Sequence, residues 1–402
     1  MMHEQPFKGF RRAEGRAGIR NCLLVLPVGQ CANELALACA SGISGAFPLL
    51  HTQPCAHLGE DNAAARSCLV GLGRNPNAAA VLVVGIGCDS ISADGIAEEI
   101  ASTGKPVEWL TVSSCGDWNT VIERGRAWLA TQQKAAASLR REEVPCSDLA
   151  LGIKCGGSDA TSAVAGNAAI GQAVDRLVGA GGTVIFSETT ELIGAEHLLM
   201  ARAATPSVRN EIRAAVRRVE DSILATGVDP RGTQPTPGNI AGGLTTLEEK
   251  SLGGVIKTGS GPIAGVFAWG AWPERNGLHL MDCPANVPQL LLGWAAAGAQ
   301  LLVFSVGGGL PARIPSLIGT NVGGFPLLPI LKILSNPRDR DVSATFDLDA
   351  SGVLDGRESV DHVAIRLWDR IAATADGEPT YLEDYPAPAV QMWEMLVRGP
   401  TI

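Results

Sequence analysis

The chain has 402 residues, 46% of them hydrophobic and 18% charged, which excludes a disordered chain and allows two or three domains around a large core. Its formal net charge of −9 argues against nucleic acid as the main partner, while a few local arginines still suffice to hold an anionic small substrate.

The opening "MMHEQPFKGFRRAEGR" lacks the apolar segment of a signal peptide, so a cytoplasmic location is expected. "FRRAEGRAGIRN" then concentrates Arg11, Arg12, Arg16 and Arg20. Forked guanidinium groups suit carboxylates, and Arg16 and Arg20 are candidate substrate binders. The ordinary alternative is a solvated basic segment.

Four apolar runs follow: "NCLLVLPVG", "GAFPLLHTQ", "AAAVLVVGIG" and "PVEWLTVSS". Each reads as a strand and precedes a helix-compatible stretch, which means βαβ units and a mostly parallel sheet. The pattern turns polar and helical near "QQKAAASLRREEVPCSD", and a lobe boundary is placed there, between 1–145 and 146–402. A second series begins at "LALGIKC" and runs through "GTVIFSE", "GPIAGVFAWG", "GLHLMD", "AQLLVFSV" and "VSATFDLDA". A helical insertion interrupts it, followed by "GVDPRGTQPTPGNIAGGLTTLEEKSLGG", whose Pro and Gly density predicts a functional loop. The fold class expected is α/β: two lobes of mostly parallel sheet flanked by helices, with the active site between them at the carboxyl ends of the strands. The uncharged run "CPANVPQLLLGWAAAGAQLLVFSVGGGLPA" breaks at "AAGAQ" and reads as a buried helix followed by a buried strand, not a membrane span.

No C-x-x-C pair occurs among the ten cysteines. Free cysteine is commonly a small buried hydrophobe, which suits Cys22, Cys39, Cys68 and Cys146. Cys55 ("HTQPCAH"), Cys88 ("GIGCDS") and Cys155 ("GIKCGG") differ: each falls between a predicted strand and a predicted helix, where one site can gather them. Thiolates favour iron, zinc or an iron–sulfur cluster over magnesium. Cys31 in "VGQCANE" is a weaker fourth ligand; Cys115 and Cys283 are weaker again. In "KCGGSD", Gly156, Gly157, Ser158 and Asp159 offer backbone N–H groups that bind a carboxylate or simply make a tight turn. "SVGGGLP", with Gly308, offers the same choice. "FSETTELIGAEH" supplies Glu188 and His197, each a base, a metal ligand, or only a capping carboxylate and a surface histidine.

These blocks carry a resemblance. "RRAEGRAGIRN", "CANELA", "HTQPC", "GLGRNPNAAAVLVVGIGCDSI", "GIKCGGSDATSAVAGNAAIG", "FSETTELIGAE" and "PTPGNIAGGLTTLEEKSLGGVIKTG" occur in the order found in altronate and galactarate dehydratases. The chain resembles the large catalytic region of that family from about residue 7 onward. The resemblance implies a hydro-lyase that takes water from a sugar acid and leaves a 2-keto-3-deoxy acid, with dependence on iron, either a mononuclear ion or an iron–sulfur cluster. It also implies Asn239 as a binding residue. The sulfolactate sulfo-lyase large subunit is related, with sulfite as leaving group; a non-catalytic partner or sensor is the remaining alternative. Family blocks start near the N-terminus, which implies that the small β-rich, SAF-like module sits on a separate chain of an oligomer. For the α-proton, Lys154, His51, His57 and Glu188 are candidate bases.

Departures bear on specificity. Family dehydratases carry Thr-Thr-Gly-Arg-Gly-Thr where this chain has "FSVGGGLP", so Gly308 replaces an arginine and Leu310 a threonine. Pro54 stands for a glycine before Cys55, and Cys283 for a threonine. A shorter or less hydroxylated acid is the expectation.

Overall fold

The computed structural model describes residues 6–13, 15–314, 325, 327–385 and 391–399. The first part of the chain carries strands β1 (Phe7–Gly9), β2 (Cys22–Pro27), β3 (Ala46–Pro48), β4 (Ala78–Gly85), β5 (Val107–Thr111) and β6 (Glu142–Val144). Strands β2–β5 form a four-stranded parallel sheet of order β3-β2-β4-β5. The second part adds β7 (Ala150–Gly156), β8 (Thr183–Phe186), β9 (Ile263–Ala268), β10 (Gly277–Asp282), β11 (Leu301–Val306), β12 (Ile330–Leu334) and β13 (Leu348–Asp349). They make a seven-stranded parallel sheet of order β13-β12-β11-β7-β8-β10-β9. This is the α/β architecture that the sequence predicts.

Every residue of β2, β4 and β11 is buried. Parallel strands covered on both faces read as continuous apolar runs, which is why these runs are so legible. Alternate side chains serve different cores. Leu23 and Val25 pack with Leu35, Val121 and Leu129 of the helices Asn33–Ala40 and Trp118–Ser138. Leu24 and Leu26 face the other way, into a core shared with Leu69, Ile96, Trp294, Leu302 and Phe304. That second core joins the two sheets through the helices Gly59–Arg74 and Val287–Ala296. A Cβ on Gly71 would lie 2.3 Å from the Ala296 carbonyl, so glycine permits this close crossing. The far face of the larger sheet is covered by the helices Gly166–Gly179 and Val360–Ala375.

Four elements differ from the sequence reading. "VSATFDLDA" forms a 3-10 segment, Pro337–Thr345, and then only the two-residue β13. The strand beside β11 is instead Ile330–Leu334, whose central Lys332 disguises it. Strands β1 and β6 pair antiparallel, and Phe7 and Val144 pack into the core on the far face of the larger sheet. The Gly/Pro-rich segment expected as a loop contains the helices Pro237–Ala241 and Leu247–Ile256; Thr236 donates through its N–H and Oγ1 to Asn239 Oδ1 at the start of the first, and Thr246 Oγ1 accepts from Glu249 N at the start of the second. The long uncharged run is the helix Val287–Ala296 plus β11, and no described helix is long and apolar enough to cross a membrane.

Candidate active site

Strand β7 ends in the quoted "KCGG", and β8 ends just before Glu188. Lys154, Cys155 and Glu188 are therefore delivered to the carboxyl edge of the larger sheet. Glu188 has φ +70°, a left-handed conformation that costs a non-glycine residue on the order of 1 kcal/mol. Its carboxylate is fully buried, paired with Lys154 Nζ through one oxygen and with Lys257 Nζ at 3.0 Å through the other. Lys257 Nζ also lies 3.4 Å from Cys155 Sγ, and Ser158 Oγ stands 3.8 Å from that sulfur. Nearby, Glu191 pairs with Lys250 at 3.1 Å.

Charge settles the protonation of this network. Burial alone would raise Glu188, but the ammonium groups of Lys154 and Lys257 hold it below the usual carboxylate range. Burial would likewise lower Lys154, yet Glu188 and Glu191 keep it raised; Lys257 is raised in the same way by Cys155 and the glutamates. Cys155 is raised by burial against the pull of Lys257. Three ammonium groups thus face two carboxylates, a positive excess suited to an incoming substrate carboxylate.

A cavity of about 780 Å³ opens on this network, lined by Gly157, Glu191, Lys250, Leu310, Arg313 and Arg338 among others. Its walls need small residues. A Cβ on Gly307 would lie 2.1 Å from the Gly157 carbonyl, and one on Gly308 would lie 2.2 Å from Asn336 Nδ2. Gly157 itself has φ +55°. Asp159 caps the next helix, accepting from Ser162 N at 2.8 Å and from Asn336 Nδ2 at 2.9 Å. Asn239 donates to the Ser158 carbonyl at 2.8 Å. Asp159 and Asn239 thus fasten loops around the cavity.

The other expected residues lie elsewhere. Arg20 spends its five N–H groups on Glu383, Glu378 O, Thr374 O and Ile19 O, leaving no N–H for a ligand. Arg16 binds Thr183 and Asn276 and lines a different cavity. His51 donates and accepts internally, with Pro27 O at 2.7 Å and Gln53 N at 3.2 Å, and burial drops it to about 4. His197 is exposed.

Cys31, Cys55 and Cys88 are exposed at the carboxyl edge of the smaller sheet, whereas Cys155 is buried. Cys31 Sγ and Cys55 Sγ are 3.7 Å apart. Two thiolates on one tetrahedral ion, each about 2.3 Å from it, would stand ~3.8 Å apart. The Cys55 thiol is raised by its hydrogen bond to Cys31 and by the charges of Cys31 and Asp89, with no cation among the causes. Ser90 N donates to Cys55 O at 2.8 Å, which brings the Cys88–Ser90 turn alongside. Both Asp89 oxygens, both ring nitrogens of His57 and the Gln53 amide are buried without partners. This donor set, soft sulfur with orphaned N and O atoms, fits a thiophilic metal. A second group, Cys155, Glu188 and Glu191, has its ligand atoms within 4.8 Å of one another. There, however, ammonium groups already occupy the donors, and a metal must displace them. The tail connects the two edges: Trp393 bridges to His51, and Arg398 reaches Asp61 through its backbone and Asp282 through its side chain.

Residues 146–398 match the D-galactarate/altronate dehydratase C-terminal family, and residues 9–137 match the D-galactarate dehydratase/altronate hydrolase second domain. The chain belongs to the D-galactarate/altronate dehydratase family. It is accordingly an enzyme of a lyase family. The (2R)-sulfolactate sulfo-lyase subunit beta of Chromohalobacter salexigens is 38% identical over 94% of this chain and 95% of its own. Altronate dehydratase of Bacillus subtilis is 35% identical over 76% of this chain, which spans 63% of that relative. Altronate dehydratase of Escherichia coli is 31% identical over 92% of this chain and 74% of its own length. Sequence reasoning missed Lys250, Lys257 and Glu191 as members of this buried network. Lys257 left one signal: a lone charge in the apolar, Gly-flanked "GGVIKTG".

Proposed function

We propose that this family member is a hydro-lyase acting on a hydroxy-carboxylic acid of sugar-acid type. The α-proton and the β-hydroxyl leave as water, and the resulting enol tautomerises to a 2-keto-3-deoxy acid. The observation that carries the reading is the buried Lys154–Glu188–Lys257–Cys155 network, which adjoins a substrate-sized cavity through Glu191 and Lys250. Proton removal α to a carboxylate piles negative charge onto that group, and fixed ammonium groups stabilise it without reorganising. Backbone N–H groups at Gly157 and Ser158 add to this. Glu188 holds both lysines in place and protonated. Among the four candidate bases, His57 is the one whose ring nitrogens are both unpartnered, and it is assigned the proton.

Cys31, Cys55 and Cys88 are the residues that would hold iron, with Asp89 beside them. When bound, the metal supplies Lewis acidity toward the substrate's oxygen atoms. Cys155 is assigned to the lysine network because its sulfur already contacts Lys257. Arg338 lines the cavity and its guanidinium has no partner among the described residues, so it is assigned the distal polar group of the substrate. Arg313, by contrast, is engaged by Asp339 and Asp341 at 3.1 and 2.8 Å.

A second reading, sulfite elimination, is favoured by the near-complete coverage of the sulfo-lyase subunit beta. The word "subunit" in that relative's name also supports a small, SAF-like partner chain here. The deciding experiment is turnover of altronate, galactarate and sulfolactate by protein purified anaerobically with iron, with and without a co-purified small subunit. Release of a keto acid without sulfite supports the hydro-lyase. Sulfite release from sulfolactate alone replaces it with the second reading, and no turnover of any of the three overturns both.

A further inference from the structure

A cavity of about 650 Å³ lies at the opposite end of the smaller sheet, beside Ala79 and Ala80 near the start of β4 and beside Pro106, which leads into β5. Arg11, Arg12, Arg16, Arg74 and Lys105 line it, against one described carboxylate, Glu274. Arg11 is paired with Glu142. The other four form no ion pair among the described residues. Arg12 is held by neutral acceptors, Pro76 O at 2.7 Å, Asn21 Oδ1 at 3.0 Å and Arg20 O at 3.0 Å. Lys105 caps the end of the helix Gly59–Arg74 through Gly73 O at 2.8 Å and Asn75 O at 2.7 Å. That capping accounts for Lys105 but not for three arginines around it.

Two observations point to a missing anion. Arg16 Nη1 is buried with no hydrogen-bond partner, while its Nη2 binds Thr183 Oγ1 at 2.8 Å and Asn276 Oδ1 at 3.0 Å. Burial, then the charges of Arg12 and Arg74, hold Lys105 well below the usual lysine range, with no carboxylate among the causes. The remaining wall is apolar or aromatic: Ala135, Ala136, Leu139 and Trp272, whose ring centroid lies 5.8 Å from the Arg16 guanidinium.

We propose that this cavity binds a small organic ligand carrying at least two negative charges, with its carboxylate or phosphate oxygens on Arg12, Arg16, Arg74 and Lys105. A concave site whose Arg12, Arg16 and Lys105 are partly buried suits a small molecule better than the face of a macromolecule. The ligand would also bridge the two sheets, because Arg12 is anchored beside β4 and Arg16 beside β8 and β10. Its occupancy therefore stabilises the joint between them.

The test is isothermal titration calorimetry and thermal melting of the full chain with citrate, a polycarboxylate, and with AMP, a phosphate monoester, at low ionic strength. Saturable binding near one per chain by either probe, with Tm rising with ligand concentration, is expected; the probe that binds identifies the acid group. Arg74→Glu, at an exposed and unpaired position, is expected to weaken binding at least tenfold, and Arg16→Gln to weaken it as well. Arg338→Glu, in the other cavity, is expected to leave it unchanged. Absence of saturable binding up to 10 mM of both probes overturns the proposal, 10 mM being roughly where site affinity falls below about 3 kcal/mol. So does binding that survives Arg74→Glu and Arg16→Gln and is lost in Arg338→Glu.

Discussion

Glu188 is the residue on which the site's electrostatics turn. Glu188→Gln leaves two buried ammonium groups sharing an uncharged partner, and removing one member of such a pair costs about 3–5 kcal/mol. Urea unfolding should show that loss, whereas Lys154→Met, which leaves Glu188 paired with Lys257, should cost less. Equal losses in the two variants would show that Glu188 does not bridge both lysines. His51 gives a separate signature. Burial lowers it from 6.5 to about 4, so the unfolded chain binds its proton first as pH falls. Its contribution is complete above pH 6.5 and fades between 6.5 and 4, by up to about 3 kcal/mol. His51→Gln should flatten that part of the stability–pH curve relative to the parent, as measured by unfolding at pH 7 and pH 4.5. Unchanged curvature would remove His51 from the account.

At the scale of elements, the loop after β11 is the part of the proposed site expected to set specificity. The resemblance to the dehydratases implies an arginine at position 308, but here the position is packed against Asn336, whose Nδ2 also serves Asp159. Gly308→Arg alone should destabilise by about 1–3 kcal/mol through overpacking. Gly308→Arg with Asn336→Ala, which opens the space, should recover much of that and shift preference toward galactarate or altronate over smaller acids. Arg313 is held by two aspartates and is in no position to take over, so Arg338→Ala should raise KM at least tenfold with a smaller change in kcat. A KM unaffected by Arg338→Ala would separate that residue from the substrate.

For the whole molecule, the two carboxyl edges matter together. The Cys31–Cys55 pair lies on one, the lysine network on the other, and the tail residues Trp393 and Arg398 link them. Anaerobically purified protein should contain iron that Cys55→Ser removes, measured by metal analysis, while Cys155→Ser should retain it. The opposite pattern would move the metal to the Cys155, Glu188 and Glu191 group. Exposure to air should abolish activity in parallel with metal loss, since an open thiolate-bound ion admits oxygen.

The sequence by itself determined the strands that are buried on both faces, because a parallel strand between helix layers must be apolar at every position, as in β2, β4 and β11. It also determined that Cys155, Glu188 and the glycine-rich turns fall at strand ends, where such sheets bind ligands. Strand β12 was hidden because its lysine breaks the apolar run, whereas the run "VSATFDLDA" overstated β13, an edge strand of two residues. Which cysteines stand together was decided only by the tertiary structure. Cys31 and Cys55 are 24 positions apart yet in contact, because β2 and β3 are neighbours in the sheet. Lys257 meets Cys155 from 102 positions away, because the helix Leu247–Ile256 packs against the helices that follow β7. Local pattern reports what each residue must bury; only the packing of distant elements decides which charges must neutralise one another.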